Sequence, residues 1–301
     1  MNILIIGGFG FLGLQLLDDL QDALPGADIY ISSSRKEVAN DKVVFVDYGS
    51  SESVKTLFRL SCPDYIIHLA SYCIRDLADS CLNKGQLRDD NILKALSSFK
   101  LNLKLIFVSS MAVFSMSDKQ ISPMRYDPES NYGLEKLYMI NKLIKFTEEN
   151  KQISYKIVYP SSIYGKGQTG KMFLPRLLDN IQKGTLMTAF GGNKKRDFIH
   201  VKDVSRALVQ LVLDFEKHPD KHIFLHSFIL YKIAQIADLV CGSLGLDPKE
   251  VIRFEDSKED VKQDIMKFQI VAEKYSSRDE FPVKVAILEG LQEMFDESCI
   301  H

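Results

Sequence analysis

The chain has no excess of either charge: 38 Lys and Arg face 40 Asp and Glu among its 301 residues, a formal net charge of -2. Nothing in that balance draws it to a nucleic-acid backbone or an anionic membrane surface, so neither is expected as a partner. Long apolar runs are missing as well. Only Ile3-Leu4-Ile5-Ile6 precedes Gly7, with no basic leader or cleavage site. No later run approaches the roughly 20 residues that span a bilayer, and a cytoplasmic location is the expectation. Cysteine pairing is also lacking. Cys62, Cys73, Cys81, Cys241 and Cys299 are odd in number, scattered and without a C-x-x-C pair, which excludes a disulfide frame and points to reduced thiols. His218, His222 and His226 recur every fourth residue, yet Pro219 lies among them and His222-Ile-Phe-Leu-His226 reads as a strand, so no metal site is expected. There is no internal repeat or low-complexity segment.

What is present is an ordinary globular composition, 46% hydrophobic, arranged as alternating strand and helix patterns. Apolar strands are predicted at Asp28 to Ser32, Val43 to Val46, Tyr65 to Leu69, Leu105 to Val108 and Tyr155 to Tyr159, with helices between them such as Leu12 to Leu20 and Leu134 to Phe146. This alternation predicts an α/β fold: a doubly wound parallel sheet of the Rossmann type, followed by a smaller lobe. We expect a dinucleotide-binding domain over 1–165, with 200–227 returning to it, and a substrate-binding lobe from 166–199 and 228–301. Glu255 to Asp264 reads as a solvated loop.

The first strand runs directly into Gly7-Gly8-Phe9-Gly10-Phe11-Leu12-Gly13. Gly7 permits a tight turn, Gly10 allows close approach of a pyrophosphate, and Gly13 lets the next helix pack on the strand. The free N–H groups at that helix start would face the phosphates. Further on, Leu105-Ile-Phe-Val ends in Ser109-Ser110, at the end of a strand where a ligand crevice opens. Asp127-Pro128 reads as an N-cap with proline in the first turn, opening a helix whose Tyr132 and Lys136 share one face at i, i+4. An ammonium near a phenol favours the phenolate, so Tyr132 could exchange a proton near neutral pH. The second predicted strand runs into Ser32-Ser33-Ser34-Arg35-Lys36 with no acid before Glu37. Ser33 and Arg35 would therefore accept a ribose 2′-phosphate, making NADP(H) the preferred cofactor and NAD(H) the alternative.

The glycine turn, Asp64-Tyr-Ile-Ile-His-Leu-Ala70, Val108-Ser-Ser-Met-Ala-Val-Phe114, Tyr132-Gly-Leu-Glu-Lys136, Tyr159-Pro-Ser-Ser-Ile-Tyr-Gly165 and Arg196-Asp-Phe-Ile-His-Val-Lys-Asp203 follow one another in that order. In this arrangement the chain resembles the extended short-chain dehydrogenase/reductases of the nucleotide-sugar epimerase/dehydratase group. The resemblance covers nearly the whole chain and weakens toward its end. It implies that Tyr132 is the proton donor or acceptor, Lys136 the clamp on the nicotinamide ribose, and Ser110 the hydrogen-bond donor to the reacting sugar oxygen. It further implies cofactor contacts at Gly7, Gly10, Phe11, Leu12, Gly13, Asp47, Tyr48, Leu69, Ala70, Ser71 and Pro160, and substrate contacts at Ser162 and Arg196. Arg196 would hold the sugar nucleotide's diphosphate, a role that suits a guanidinium fork. A homodimer is implied as well. His68 reads instead as a satisfied core histidine.

Departures from the family pattern narrow the expectation. Met111 and Ala112 stand where 4,6-dehydratases carry Asp-Glu, Tyr159 and Ser162 stand for Arg and Asn, and His226-Ser227-Phe228 replaces Asn-x-Gly. The leading expectation is an NAD(P)-dependent 4-ketoreductase acting on a nucleotide sugar, followed by a 4-epimerase with tightly held NAD. A dinucleotide-binding sensor or scaffold without turnover is the reading from another class.

Overall fold

Strand β1 (Asn2–Ile6) is so thoroughly apolar that Ile3 to Ile6 are all 0% exposed, the signature of a strand covered on both faces. The computed structural model describes residues 1–34, 41–72, 79–99, 102–114, 126–255 and 280–295. Arg35 and all of the charged stretch beyond Glu255 lie outside the described residues. The chain divides into two compact units, the first formed by Met1–Ser115, Met124–Pro160 and Ser205–Phe224, the second by the remainder.

The first unit is built on a seven-stranded sheet. Its strands are β1, β2 (Asp28–Ser33), β3 (Val43–Phe45), β4 (Tyr65–His68), β5 (Leu103–Val108), β6 (Ile153–Pro160) and β10 (His222–Leu225), in the spatial order β10-β6-β5-β4-β1-β2-β3. The pairs from β3 across to β6 are parallel, with Ile3 opposite Ile29 on one side and Tyr65 on the other. The chain winds outward from β1 through β2 to β3, then returns to place β4 on the other flank of β1. At that reversal the connections after β1 and β4 diverge and leave a crevice at the strands' carboxyl ends.

Helices fill the connections. Helix α1 (Phe11–Ala23) buries Gly13, Leu16 and Leu20 at helical spacing. Helix α2 (Ser51–Ser61) is capped by Ser50, whose side chain accepts from the Ser53 amide, and ends at Cys62 in the left-handed region. In α3 (Asp79–Leu96) the buried stripe runs through Gly85, Arg88, Asp89, Ile92 and Leu96, so two charged residues fall on the core face. Helix α4 (Asn131–Glu149) starts later than expected. Its cap is Ser130, whose Oγ accepts from the Gly133 amide at 3.1 Å. Asp127 is not the cap, because residues 127–129 lie outside the helix, and the Asp127 amide donates to the Val113 carbonyl (3.0 Å), in register with the Phe114–Tyr126 bridge.

The second unit carries β7 (Ser162–Tyr164), β8 (Met187–Phe190), β9 (Lys195–His200), β11 (Leu230–Lys232) and β12 (Ile252–Glu255) in a three-stranded β11-β9-β7 sheet and a β12-β8 pair. Helices α5 (Phe173–Gln182), α7 (Ile233–Leu244), α8 (Pro248–Val251) and α9 (Ile287–Phe295) close its core, in which Leu177, Ile236, Val240 and Leu291 are 0% exposed. Helix α6 (Val201–Leu213) completes the elements used below. Each large aliphatic side chain buried this way stabilises its unit by about 1.5–3 kcal/mol before chain entropy is counted.

Packing leaves no room for a side chain at Gly13, where an added Cβ would lie 2.5 Å from the Gly8 carbonyl oxygen and 2.6 Å from its Cα. Both neighbours are backbone and cannot swing aside. Gly13→Ala is therefore expected to destabilise the protein by about 1–3 kcal/mol, the usual cost of overpacking, measured by urea denaturation.

Candidate active site

Gly7 has φ +87°, in the left-handed region, and a Cβ there would lie 2.9 Å from the Ala70 amide nitrogen. The turn after β1 and the segment after β4 therefore meet backbone to backbone at the sheet's reversal. Gly10 donates its amide to the Gly7 carbonyl (3.0 Å) and serves as N-cap of α1, with no side chain capping it and no acidic residue in the first turn. The amides of Phe11, Leu12 and Gly13 precede the first intrahelical bond, from Leu14 to Gly10. Oriented donors, a positive helix end and a glycine cradle that any side chain would fill suit a pyrophosphate.

Around this turn the expected adenine-side residues are already tied to the protein. Tyr48 is buried, donates its hydroxyl to Ser32 Oγ at 2.6 Å and accepts from Asn91 through its carbonyl (2.8 Å). Burial pushes the Tyr48 phenol well above its ordinary range. Asp47 is exposed, and its Oδ1 accepts from the Gly49 amide at 2.9 Å. Ser33 is only 4% exposed, at the end of β2.

Ser110 caps a 3₁₀ turn, Met111–Val113, its Oγ accepting from the Ala112 amide at 3.1 Å. Helix α4 docks on that same turn: a Cβ at Gly133 would collide with the Ala112 carbonyl oxygen and lie 2.7 Å from Pro128 Cβ. Three residues on, Lys136 is 2% exposed, and its Nζ donates to the carbonyls of Val108 (2.9 Å) and Ala70 (3.2 Å). The half-buried Tyr132 has its ring centroid 5.9 Å from that Nζ. Desolvation above all, with help from the charge of Arg88, pushes the Lys136 ammonium down to about 8. The structure thus brings Ser110, Tyr132 and Lys136 together with Leu69 to Ser71 at the carboxyl ends of β4 and β5. Pro160, buried, ends β6.

Sequence reasoning missed the buried charges beneath this group. Arg88, Asp89 and Glu135 are each 1% exposed or less; Arg88 Nε contacts Asp89 at 2.8 Å, and Arg88 Nη2 lies 3.1 Å from Glu135 Oε1. His68 is fully buried, its Nε2 3.1 Å from Asp89, while its Nδ1 has no hydrogen-bond partner among the described residues, so the expected satisfied core histidine is satisfied on one side only. Desolvation pushes it down to about 4, so it is neutral at pH 7. The available signal was the i, i+3, i+4 stripe Gly85-Arg88-Asp89-Ile92, which puts the charges on the same face as core residues.

In the second unit, Ser162 is half-buried on β7 opposite Phe198, and Arg196 is half-buried on β9 opposite Tyr231, its Nη1 donating to the Lys195 carbonyl at 2.9 Å. Asp197 accepts from Ser161 Oγ (2.6 Å) and from the amides of Ser227 (3.0 Å) and Phe228 (2.9 Å). These bonds hold Phe228 at φ 65°, a left-handed conformation that a non-glycine residue adopts at a cost of about 1–3 kcal/mol.

The sequence model of the NAD dependent epimerase/dehydratase family matches residues 3–225. A putative UDP-glucose 4-epimerase of Methanocaldococcus jannaschii is 28% identical over 225 residues, covering 68% of this chain and 71% of that protein. The dTDP-4-dehydro-6-deoxy-D-allose reductase of a Streptomyces species is 24% identical over 288 residues, 85% of each. Among solved structures, the UDP-glucose 4-epimerase of Thermotoga maritima with UDP-glucose superposes with a TM-score of 0.81 at 22% identity, covering 98% of this chain and 97% of that one. The dTDP-glucose 4,6-dehydratase of Bacillus anthracis, in complex with NAD, gives a TM-score of 0.79 at 18% identity, covering 98% and 95%. The two structural likenesses show a shared Rossmann-type fold, and the match over residues 3–225 establishes that the chain is an enzyme of the NAD-dependent epimerase/dehydratase family, an extended short-chain dehydrogenase/reductase.

Proposed function

We propose that the protein is a 4-ketoreductase of nucleotide sugars. The observation that carries this reading is the grouping of Ser110, Tyr132 and Lys136 on two elements locked together at Gly133. A bound nicotinamide dinucleotide supplies the hydride that reduces the C4 carbonyl. Tyr132 gives its phenolic proton to the oxygen that becomes the C4 hydroxyl. Ser110 spends an acceptor site on the Ala112 amide, so its O–H remains a donor to that same oxygen as negative charge develops on it. Lys136 commits two of its three donors to backbone carbonyls. Its third would be available to the ribose hydroxyls of a bound dinucleotide, and its charge would favour the phenolate left on Tyr132 after proton transfer. Met111 and Ala112 offer no acid or base of their own, which favours reduction over dehydration.

Arg196 would hold the substrate's diphosphate, with Ser162 as a further substrate contact. The cofactor is a nicotinamide dinucleotide, and the preference for NADP(H) now rests on Arg35, because Ser33 is buried. A 4-epimerase is the second reading, favoured by the names of the Methanocaldococcus and Thermotoga relatives. No described helix is long and apolar enough to cross a membrane. We place the enzyme in the cytoplasm, as a homodimer through α3 and α4, where Leu87 and Leu134 are exposed.

Three measurements test this reading. Tyr132→Phe keeps the ring and removes the transferable proton, so turnover of an NDP-4-keto-sugar should fall by at least about 100-fold; near wild-type turnover would remove Tyr132 from the mechanism. As pH rises through about 8, Lys136 loses its charge, so NADH or NADPH affinity should weaken with a midpoint near that value. Lys136→Met should bind weakly at every pH and show no such step. Calorimetric titration of both reduced cofactors should find tighter binding of NADPH and selective loss of that binding in Arg35→Ala. Preference for NADH with no effect of Arg35→Ala would favour the epimerase.

A further inference from the structure

Four formally charged side chains, Arg88, Asp89, Glu135 and Lys136, are packed together with at most 2% exposure each, beside a neutral His68. Two cations offset two anions, but charges taken out of water cost several kcal/mol apiece and repay that only when their partners are well placed. Their arrangement is selective. Arg88 on α3 binds Asp89 through Nε and stands 3.1 Å from Glu135, with its guanidinium 5.4 Å from the Tyr72 ring. Lys136, next in sequence to Glu135, turns its ammonium to the Ala70 and Val108 carbonyls instead.

Glu135 uses its carboxylate on the segment that follows β4: Oε2 accepts from Ser71 Oγ at 2.6 Å and Oε1 from the Tyr72 amide at 2.9 Å. Two consecutive residues of α4 thus grip three consecutive residues after β4, with Lys136 on Ala70 and Glu135 on Ser71 and Tyr72. Ala70 is in turn the backbone that Gly7 faces. Room for the carboxylate comes from Gly85, whose Cβ would collide with Glu135 Oε1. One turn further along α3, Arg88 supplies the countercharge.

We infer that Glu135, held by Arg88, is a positioning residue for the dinucleotide: it sets the Ala70–Tyr72 segment against the Gly7 turn and leaves Lys136 free for the cofactor's ribose. This rests on the reading above that the first unit binds a nicotinamide dinucleotide. Without the Arg88 countercharge, the nearest cation for the Glu135 carboxylate would be Lys136 itself, and the clamp would be neutralised by its own neighbour.

The test uses the full chain and two titrants, the reduced dinucleotide that binds wild type and a nucleoside diphosphate sugar, with folding checked by thermal denaturation. Glu135→Gln keeps an acceptor for the Tyr72 amide but removes the charge. Its dinucleotide Kd should rise on the order of 10-fold, the scale of a lost charge-assisted hydrogen bond, with sugar-nucleotide Kd changed by less than about twofold. The alkaline step in dinucleotide binding should also move, in a direction set by charge. The Glu135 carboxylate and Asp89 hold the Lys136 proton on, whereas Arg88 pushes it off. Glu135→Gln should lower the midpoint and Arg88→Met should raise it. The opposite displacements would show that both groups act on Lys136, and the loss confined to the dinucleotide is the readout that a merely structural role would not give. Should either single variant fail to fold, Arg88→Met with Glu135→Gln restores charge balance against Asp89 and Lys136, and its dinucleotide Kd should still be raised. Folded variants with wild-type dinucleotide affinity, equal losses for both titrants, or midpoints moving the same way would overturn the inference. Wild-type protein that binds no dinucleotide would overturn the proposed function as well, and that titration alone separates the two failures.

Discussion

The Ala70 backbone is approached from two sides at once: its amide faces Gly7 so closely that a Cβ at Gly7 would lie 2.9 Å away, and its carbonyl accepts from Lys136 at 3.2 Å. Much of the first unit depends on that double approach. It requires β1 and β4 to be neighbours, which follows from the reversal of winding after β3. It requires α4 to lie against the end of β5, which Gly133 allows by giving its side-chain volume to the Ala112 carbonyl. It also requires a cation to be dehydrated, and the cost of that dehydration is what pushes Lys136 down. The placement of Tyr132 beside Lys136 follows from the same packing.

Much of this was legible because the informative signals are local. A run of buried β-branched residues ending in Gly7-Gly8-Phe9-Gly10 dictates strand, turn and helix within a dozen positions, and i, i+4 spacing fixes the face shared by Tyr132 and Lys136. The start of α4 was misplaced for an equally physical reason. Asp127-Pro128 has the chemistry of a helix start, but it continues the Phe114–Tyr126 bridge by pairing with Val113, a residue remote in sequence, and Ser130 takes the cap. The charges of α3 escaped notice because single-sequence reading assigns Arg and Asp to solvent. Arg88 and Asp89 are buried only because Glu135 and His68, from α4 and β4, meet them.

Asp197 plays the corresponding part in the second unit. Three hydrogen bonds tie β9 to Ser161 and to the Ser227-Phe228 turn. Since side chains alternate along a strand, fixing Asp197 inward sends Arg196 to the opposite face. The departure at His226-Ser227-Phe228 has a structural support. Phe228 takes the left-handed conformation, and the carboxylate of Asp197 holds it there despite the strain.

Gly133 and Ser110 together fix the turn at residues 111–113 through backbone and cap, not through the side chains of Met111 and Ala112. Such a turn is a platform: its shape is set by backbone contacts, so the side chains at 111 and 112 can differ without moving the serine that precedes them. In a scaffold of this kind the side chains at 111 and 112 and the placement of Ser110 are separate matters, and either can be altered without disturbing the other.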